Sequence, residues 1–407
     1  MQNRLAELIP SSIKGNIAEI VIEPTLTGEI KALIARAGFA ESHLLIVCDK
    51  ATHNAFGERI SQELGELNTD LLILAGTPHA DEATADSISS RNADALIAVG
   101  SGTINDICKY ASFKTQKPYV VFPTAPSMNG YLSANASITI GGHKKTLAAH
   151  LPQAVYCDLG VLARAPKRLI RSGLGDSLCR STAQADWLLS HLLWDTAYTS
   201  LPFDMLKPYE SELFDKADKL ISGDGSVIEL LIKTLLVSGL GMTLAGGSYP
   251  ASQGEHLIAH TMEMKHANTL FESYHGEQIG VTTLTMAKIQ QTLLSQKLRL
   301  PKYSDWEKTI VDYFGAPLSK SIGEASSSKH MLYERYEAMN ERLKTHEQEI
   351  RTAIKHISLP EAALREVLVK AGAPTTASDL GWSEEDYNKA VTHARFIRDR
   401  FTFLDLL

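Results

Sequence analysis

The first 160 residues alternate short apolar runs with helix-like stretches, and this alternation restricts the fold more than any other feature of the chain. Residues 18–22, 44–47, 71–74, 95–99, 119–122 and 154–157 read as strands. Several, ALIAV at 95–99 among them, are apolar throughout, as expected of strands in a parallel sheet covered on both faces. Helical patterns fall between them, at 28–37 and 56–64. Successive strand–helix–strand units connect right-handed and predict an α/β layer fold. At 137–147, SITIGGHKKTL places strand residues on both sides of Gly141-Gly142, which predicts a hairpin added to that domain.

After Asp158 the texture changes and strand-like runs almost vanish. Helical patterns take over at 176–189, 227–244, 255–266, 281–296, 330–356, 360–370 and 384–401, with a Ser-rich loop expected at 323–328. The expected organisation is an α/β domain over 1–160, a parallel sheet flanked by helices, and an all-helical domain over 161–407. The chain's 407 residues are enough for two or three domains.

A net charge of −7 argues against a general nucleic-acid binder. Cys48, Cys108, Cys157 and Cys179 include no CxxC pair and read as buried thiols in a reducing compartment. Residues 1–15 lack a basic region followed by an apolar one, so no secretory leader is expected. The longest apolar run, 227–244, contains Glu229, Lys233 and two glycines and reads as a core helix rather than a membrane span. A cytoplasmic protein without membrane insertion is expected.

Chemistry-bearing residues cluster in five places. In the 254–276 stretch, His256 and His260 are four residues apart, so at helical spacing they share a face, and His275 follows fifteen residues after His260 in an expected loop. Gly173-Leu174-Gly175-Asp176 opens an expected helix; Asp176 is either an N-cap or the carboxylate that would complete a metal site with two histidines. VGSGTIND at 99–106 follows a strand and leads into a helix, a geometry suited to phosphate, although a plain tight turn has the same pattern. Asp49 ends a strand, where a carboxylate can accept from a ribose diol or simply cap a helix. PTAPSMNGY at 123–131 follows another strand as either a ligand loop or a structural turn.

Together these pieces resemble the metal-dependent dehydrogenases that include glycerol dehydrogenase, the iron-containing alcohol dehydrogenases and, more distantly, dehydroquinate synthase; the sn-glycerol-1-phosphate dehydrogenases are the most similar branch. The resemblance rests on GSGTINDICKYAS (100–112), PTAPSMNGYLSANASI (123–138), GLGDSLCRSTAQADW (173–187), PASQGEHLIAHTMEM (250–264) and YHGEQIGV (274–281), in family order. It implies a dehydroquinate synthase-like fold, NAD or NADP as cofactor, and one divalent metal, zinc first, with nickel or iron compatible. Carried over by motif, Asp176, His256 and His275 would hold the metal, and His260 would contact substrate. Gly102, Thr103, Ile104, Asn105 and Asp106 would hold the pyrophosphate, Thr124, Ser127 and Ser133 the nicotinamide side, and Asp49 the adenosine ribose. Asn129 stands where the family has an acidic residue that touches substrate; the amide keeps the shape and loses the charge. The implied reaction is NAD(P)H reduction of dihydroxyacetone phosphate, with Lys144, Lys145 and Arg180 as candidate phosphate contacts. A small-molecule substrate and a homo-oligomer are expected. Alternatives are another polyol or alcohol, a cyclase consuming no net NADH, and a non-catalytic nucleotide-binding protein.

Overall fold

The computed structural model describes Ile9 and residues 17–266, 273–302, 305–333 and 335–407. Most of the stretch read for a leader, and residues 267–272 of the histidine-bearing stretch, lie outside the described residues. By compactness the chain forms two units that interleave along the sequence rather than meeting at one point near residue 160. The first comprises Met1–Ile140, Lys145–Gly173 and Asp204–Gly247; the second comprises Gly141–Lys144, Leu174–Phe203 and Ser248–Leu407.

In the first unit, all six expected strands form: β1 (Glu19–Glu23), β2 (Leu44–Asp49), β3 (Thr69–Leu74), β4 (Ala95–Gly100), β5 (Tyr119–Pro123) and, after the hairpin, β8 (Ala154–Asp158). They make one sheet in the order β1-β8-β5-β4-β2-β3, with every pairing parallel. The central strands are apolar because both faces are covered. Ile46, Ile97, Val99, Val120, Phe122 and Tyr156 pack in one buried cluster with Leu33, Ile34, Phe56 and Ile60. Each such side chain contributes about 1.5–3 kcal/mol by leaving water. β3 is an edge strand, and its Leu71 and Ile73 are exposed. β6 (Asn135–Ile140) and β7 (His143–Ala148) pair as the expected hairpin. Their turn residues Gly141 and Gly142 both have positive φ, +57° and +80°, as a two-residue hairpin turn requires.

Helix α1 (Gly102–Thr115) follows β4, and α2 (Lys167–Leu178) precedes α3 (Arg180–Trp194). Helix α4 (Gly225–Leu244) is long and apolar enough to cross a membrane, but its apolar window is 78% buried inside the protein. It belongs to the first unit because Gly239 leaves room for the backbone of Asn129 and Leu132; a Cβ there would come within 2.7–2.9 Å of both. The Thr243 hydroxyl donates to Leu132 O and accepts from Ala134 N.

The second unit contains α5 (Gly254–Lys265), α6 (His275–Ser295) and the C-terminal helices. Its core joins Leu189, Leu257, Ile258, Met286, Leu343, Ile350, Phe403 and Leu404. The fully buried Asp186 carboxylate accepts from Gly254 N and Phe403 N, tying the C-terminal segment to the start of α5.

Several expected bounds are corrected. The expected helix at 176–189 is two helices, α2 and α3, and α2 begins after Pro166, nine residues before Asp176. Asp176 therefore lies in the last turn of a helix and is not an N-cap. Gly173 and Gly175 had hidden the helical pattern of 167–175. The expected loop at 323–328 is helical on both sides of Ser326, whose hydroxyl donates back to Ile322 O. The helix expected at 330–356 is two, Ser327–Tyr333 and Tyr336–Ile357. His275 is the first residue of α6, not part of a loop. An unexpected helix, Leu201–Asp215, contains Pro208 in its interior, where a proline removes one backbone donor from the helix.

Candidate active site

In the second unit, three helices bring together the carboxylate and imidazoles that the sequence had spread over a hundred residues. His256 and His260 sit one turn apart on α5, with ring centroids 5.7 Å apart. The His275 ring, at the start of α6, lies 5.2 Å from that of His256 and 5.6 Å from that of His260. Asp176 reaches the cluster from α2. The approach depends on glycine: a Cβ on Gly175 would stand 2.1 Å from Gly276 O. Gly254 is constrained likewise, since a Cβ there would stand 2.8 Å from the Asp186 oxygen that accepts its own N–H.

One donor atom each from Asp176, His256 and His275 lie within 4.8 Å of one another. The His256 Nε2 to Asp176 Oδ1 separation of 3.7 Å is too long for a good hydrogen bond and suits two groups facing a common third. His256 Nδ1 donates to Glu255 Oε1 at 2.9 Å, which leaves the lone pair on Nε2. Burial holds the His256 pKa below its ordinary value, so the ring is neutral, as a ligand must be. Glu255 is fixed in turn by Gln253 N at 2.6 Å and the Thr182 hydroxyl at 3.1 Å. A carboxylate and two imidazoles, one of them oriented by a second carboxylate, fit a borderline divalent metal.

A second set, His260, Glu263 and His275, has the same closeness, but its members have other partners. Glu263 is ion-paired with Lys144 at 2.9 Å. Burial pushes the Glu263 carboxyl up, but Lys144 and His275 outweigh it and hold the group at about 2. His260 Nδ1 accepts from the Arg398 guanidinium at 3.0 Å. Burial first, then Arg398 and Lys144, push the His260 pKa well below its ordinary value. His260 is therefore neutral, with its proton on Nε2.

In the first unit, the expected nucleotide residues lie at the carboxyl ends of β2, β4 and β5. Gly102 and Thr103 open α1, whose first N–H groups and dipole face the end of β4. A Cβ on Gly100 would meet the Ile104 side chain at 2.6 Å, which fixes the tight turn. Asp106 accepts from Ser137 N at 3.0 Å, from Asn105 Nδ2 at 3.0 Å and from Lys109 Nζ at 3.4 Å. It thus anchors the hairpin and balances a fully buried lysine. Asp49 makes a capping box with Thr52 through Oδ1, the cap reading of that residue. The Ser133 hydroxyl accepts from Asn135 N. Thr124, Ser127 and Asn129 are buried in the turn after β5, with Ser172 donating to Ser127 O.

Of the candidate phosphate contacts, Lys144 is neutralised by Glu263, and Arg180 donates to Gln184. Sequence reasoning missed Glu255, Glu263 and Arg398. Glu263 was visible in principle, three residues beyond His260 on the same helical face. Arg398 was not, since 138 residues separate it from His260.

The iron-containing alcohol dehydrogenase family profile matches residues 21–166. A glycerol-1-phosphate dehydrogenase (NAD(P)+) of Geobacillus stearothermophilus is 32% identical, over 77% of this chain and 71% of that protein. The enzyme of the same name from Thermococcus kodakarensis is 33% identical, over 66% of this chain and 76% of its own. Among solved structures, glycerol dehydrogenase from Schizosaccharomyces pombe superposes with a TM-score of 0.65 at 17% identity, covering 96% of this chain and 84% of that one. That likeness concerns the fold, whereas identity near one third over most of two relatives' length reaches further and bears out the resemblance read from the motifs. On these grounds the chain belongs to the NAD(P)+-dependent glycerol-1-phosphate dehydrogenase family.

Proposed function

We propose that this protein reduces dihydroxyacetone phosphate to sn-glycerol 1-phosphate with NADH or NADPH, using a divalent metal. The observation that carries the reading is the convergence of Asp176, His256 and His275 within 4.8 Å, with His256 oriented by Glu255. These three residues would hold the ion, zinc first and nickel or iron compatible. When bound, the ion supplies Lewis acidity that stabilises negative charge developing on the substrate's carbonyl oxygen. The nicotinamide supplies the hydride. Asp176 offsets the charge of the site and touches substrate. His260, neutral and protonated on Nε2, hydrogen-bonds the substrate oxygen and supplies or relays its proton.

Cofactor binding falls to the first unit. The residues Gly102, Thr103, Ile104, Asn105 and Asp106 hold the pyrophosphate chiefly through backbone N–H groups at the start of α1. Thr124, Ser127 and Ser133 line the nicotinamide side, Asp49 accepts from the adenosine ribose, and Asn129 touches substrate. The four cysteines are buried free thiols, which suits a reducing cytoplasm. Exposed Leu71 and Ile73 on the edge strand β3 suit a homo-oligomer.

The test is NAD(P)H oxidation by metal-loaded protein with dihydroxyacetone phosphate, beside dihydroxyacetone and a panel of small aldehydes. Saturable turnover on the phosphate is expected. Turnover confined to another carbonyl compound would contradict the substrate and leave the reaction class standing.

A further inference from the structure

Two buried lysines of this protein are balanced by carboxylates. Fully buried Lys329 pairs with Asp405 at 3.0 Å, and fully buried Lys109 pairs with Asp106 at 3.4 Å. Arg398 breaks the pattern. It is 9% exposed, and among the described residues its guanidinium makes two hydrogen bonds, to His260 Nδ1 at 3.0 Å and to Ser252 Oγ at 3.4 Å. No described carboxylate forms an ion pair with it. The negative fields that reach it come from Asp399 and Glu263, and Glu263 is already paired with Lys144. A second guanidinium, Arg400, lies nearby and raises the local positive charge further. Arg400 is tied to Ser252 O, to the Ser248 hydroxyl at 2.7 Å and to the Tyr249 ring face at 4.9 Å.

An uncompensated buried charge costs several kcal/mol, so the site is built for an anion that the protein does not supply. Three of the five guanidinium N–H groups of Arg398 have no described partner, and a planar fork of donors matches a phosphate better than a point charge does. The place also fits, because Arg398 holds the edge of His260, whose ring lies 5.6 Å from that of His275. An anion there would sit one side chain away from the carbonyl-binding cluster, as a phosphate does on the carbon next to a ketone.

We infer that Arg398 is the receptor for the substrate's phosphomonoester, with Arg400 acting as a positioning residue that fixes the Ser252 segment beneath it. This deepens the proposed function and rests on it. Lys144, neutralised by Glu263, is not the receptor.

The experiment compares kcat/KM for dihydroxyacetone phosphate with that for dihydroxyacetone in the wild type, Arg398→Gln and Arg398→Lys. Inhibition and thermal stabilisation by orthophosphate are followed in parallel. Arg398→Gln is expected to lower the phosphate-to-unphosphorylated ratio about 10- to 100-fold, mainly through KM, with Arg398→Lys in between. The stabilisation of the wild type by orthophosphate should vanish in Arg398→Gln. An unchanged ratio and unchanged orthophosphate response in a folded variant would overturn the inference. If Arg398→Gln does not fold, the ratio in Arg398→Lys decides. A wild type inactive on dihydroxyacetone phosphate, yet stabilised by orthophosphate only while Arg398 is present, would overturn the proposed substrate and keep the anion receptor.

Discussion

The two units treat their polar side chains in opposite ways. In the first, the conspicuous side chains serve their own backbone: Asp49 caps, Ser133 closes a turn, and Asp106 holds the hairpin and Lys109. What remains for a ligand is shape, glycine and free N–H groups. In the second unit, the side chains are turned toward one another, as buried Asp176, His256 and His260 meet partly exposed His275. A dinucleotide's pyrophosphate can be held by backbone, which any residue provides. A metal ion and a reacting carbonyl need particular atoms, which only side chains provide. Truncating side chains should therefore abolish chemistry in the second unit, and in the first should mostly cost stability.

The sharpest way to break this contrast is kinetic. Asp176→Ala and His256→Ala should each lose at least about 10³-fold in turnover, since they remove the charge stabilisation at the reacting oxygen. His260→Ala should lose about 10²–10⁴-fold, the usual worth of a positioned proton donor. Steady-state assays under saturating cofactor decide this, and near-normal turnover in any of the three would contradict the assigned roles.

Asp106→Ala tests the other side. It leaves Lys109 fully buried without its carboxylate and should destabilise the protein by about 3–5 kcal/mol, read from denaturant unfolding. The contrast would fail if Asp106→Ala kept wild-type stability and lost only NAD(P) affinity.

A smaller effect concerns pH. The Glu263 carboxyl lies at about 2 in the folded protein against an ordinary 4.5. Its contribution is therefore complete above about 4.5 and is lost as pH falls toward 2. Stability measured from pH 6 downward should fall less steeply in Glu263→Gln. A variant with the wild-type slope would show that the Lys144 pair is not coupled to folding.

The smallest effect is at Asp49. Asp49→Ala should cost about 1 kcal/mol as a lost cap. It should also weaken NADH relative to NADPH if the carboxylate meets the ribose as well. A change in stability without a change in cofactor preference would leave only the cap.

The sheet was legible because covered parallel strands must be apolar on both faces, which makes runs such as 95–99 stand out. The hairpin was legible from two glycines that a two-residue turn demands. The metal candidates were legible as residue types at helical spacing, although Asp176 was assigned to the wrong end of a helix, because Gly173 and Gly175 interrupt the apolar period there. Those glycines are present for contact, not for helix propensity, and that requirement lies in the partner element. Arg398 was illegible for the same reason on a larger scale: its meaning comes from His260, 138 residues away. The interleaved units could not be read from texture, since α4 looks like the helical half in composition and packs by Gly239 against the turn after β5.

The most direct test of the central claim is the metal content of four variants, Asp176→Ala, His256→Ala, His275→Ala and His260→Ala, purified identically and measured by elemental analysis beside the wild type. The first three should lose the ion, while His260→Ala should keep it at wild-type occupancy with its turnover gone. Retention of metal in Asp176→Ala or His256→Ala, or its loss in His260→Ala, would contradict the assignment of the site.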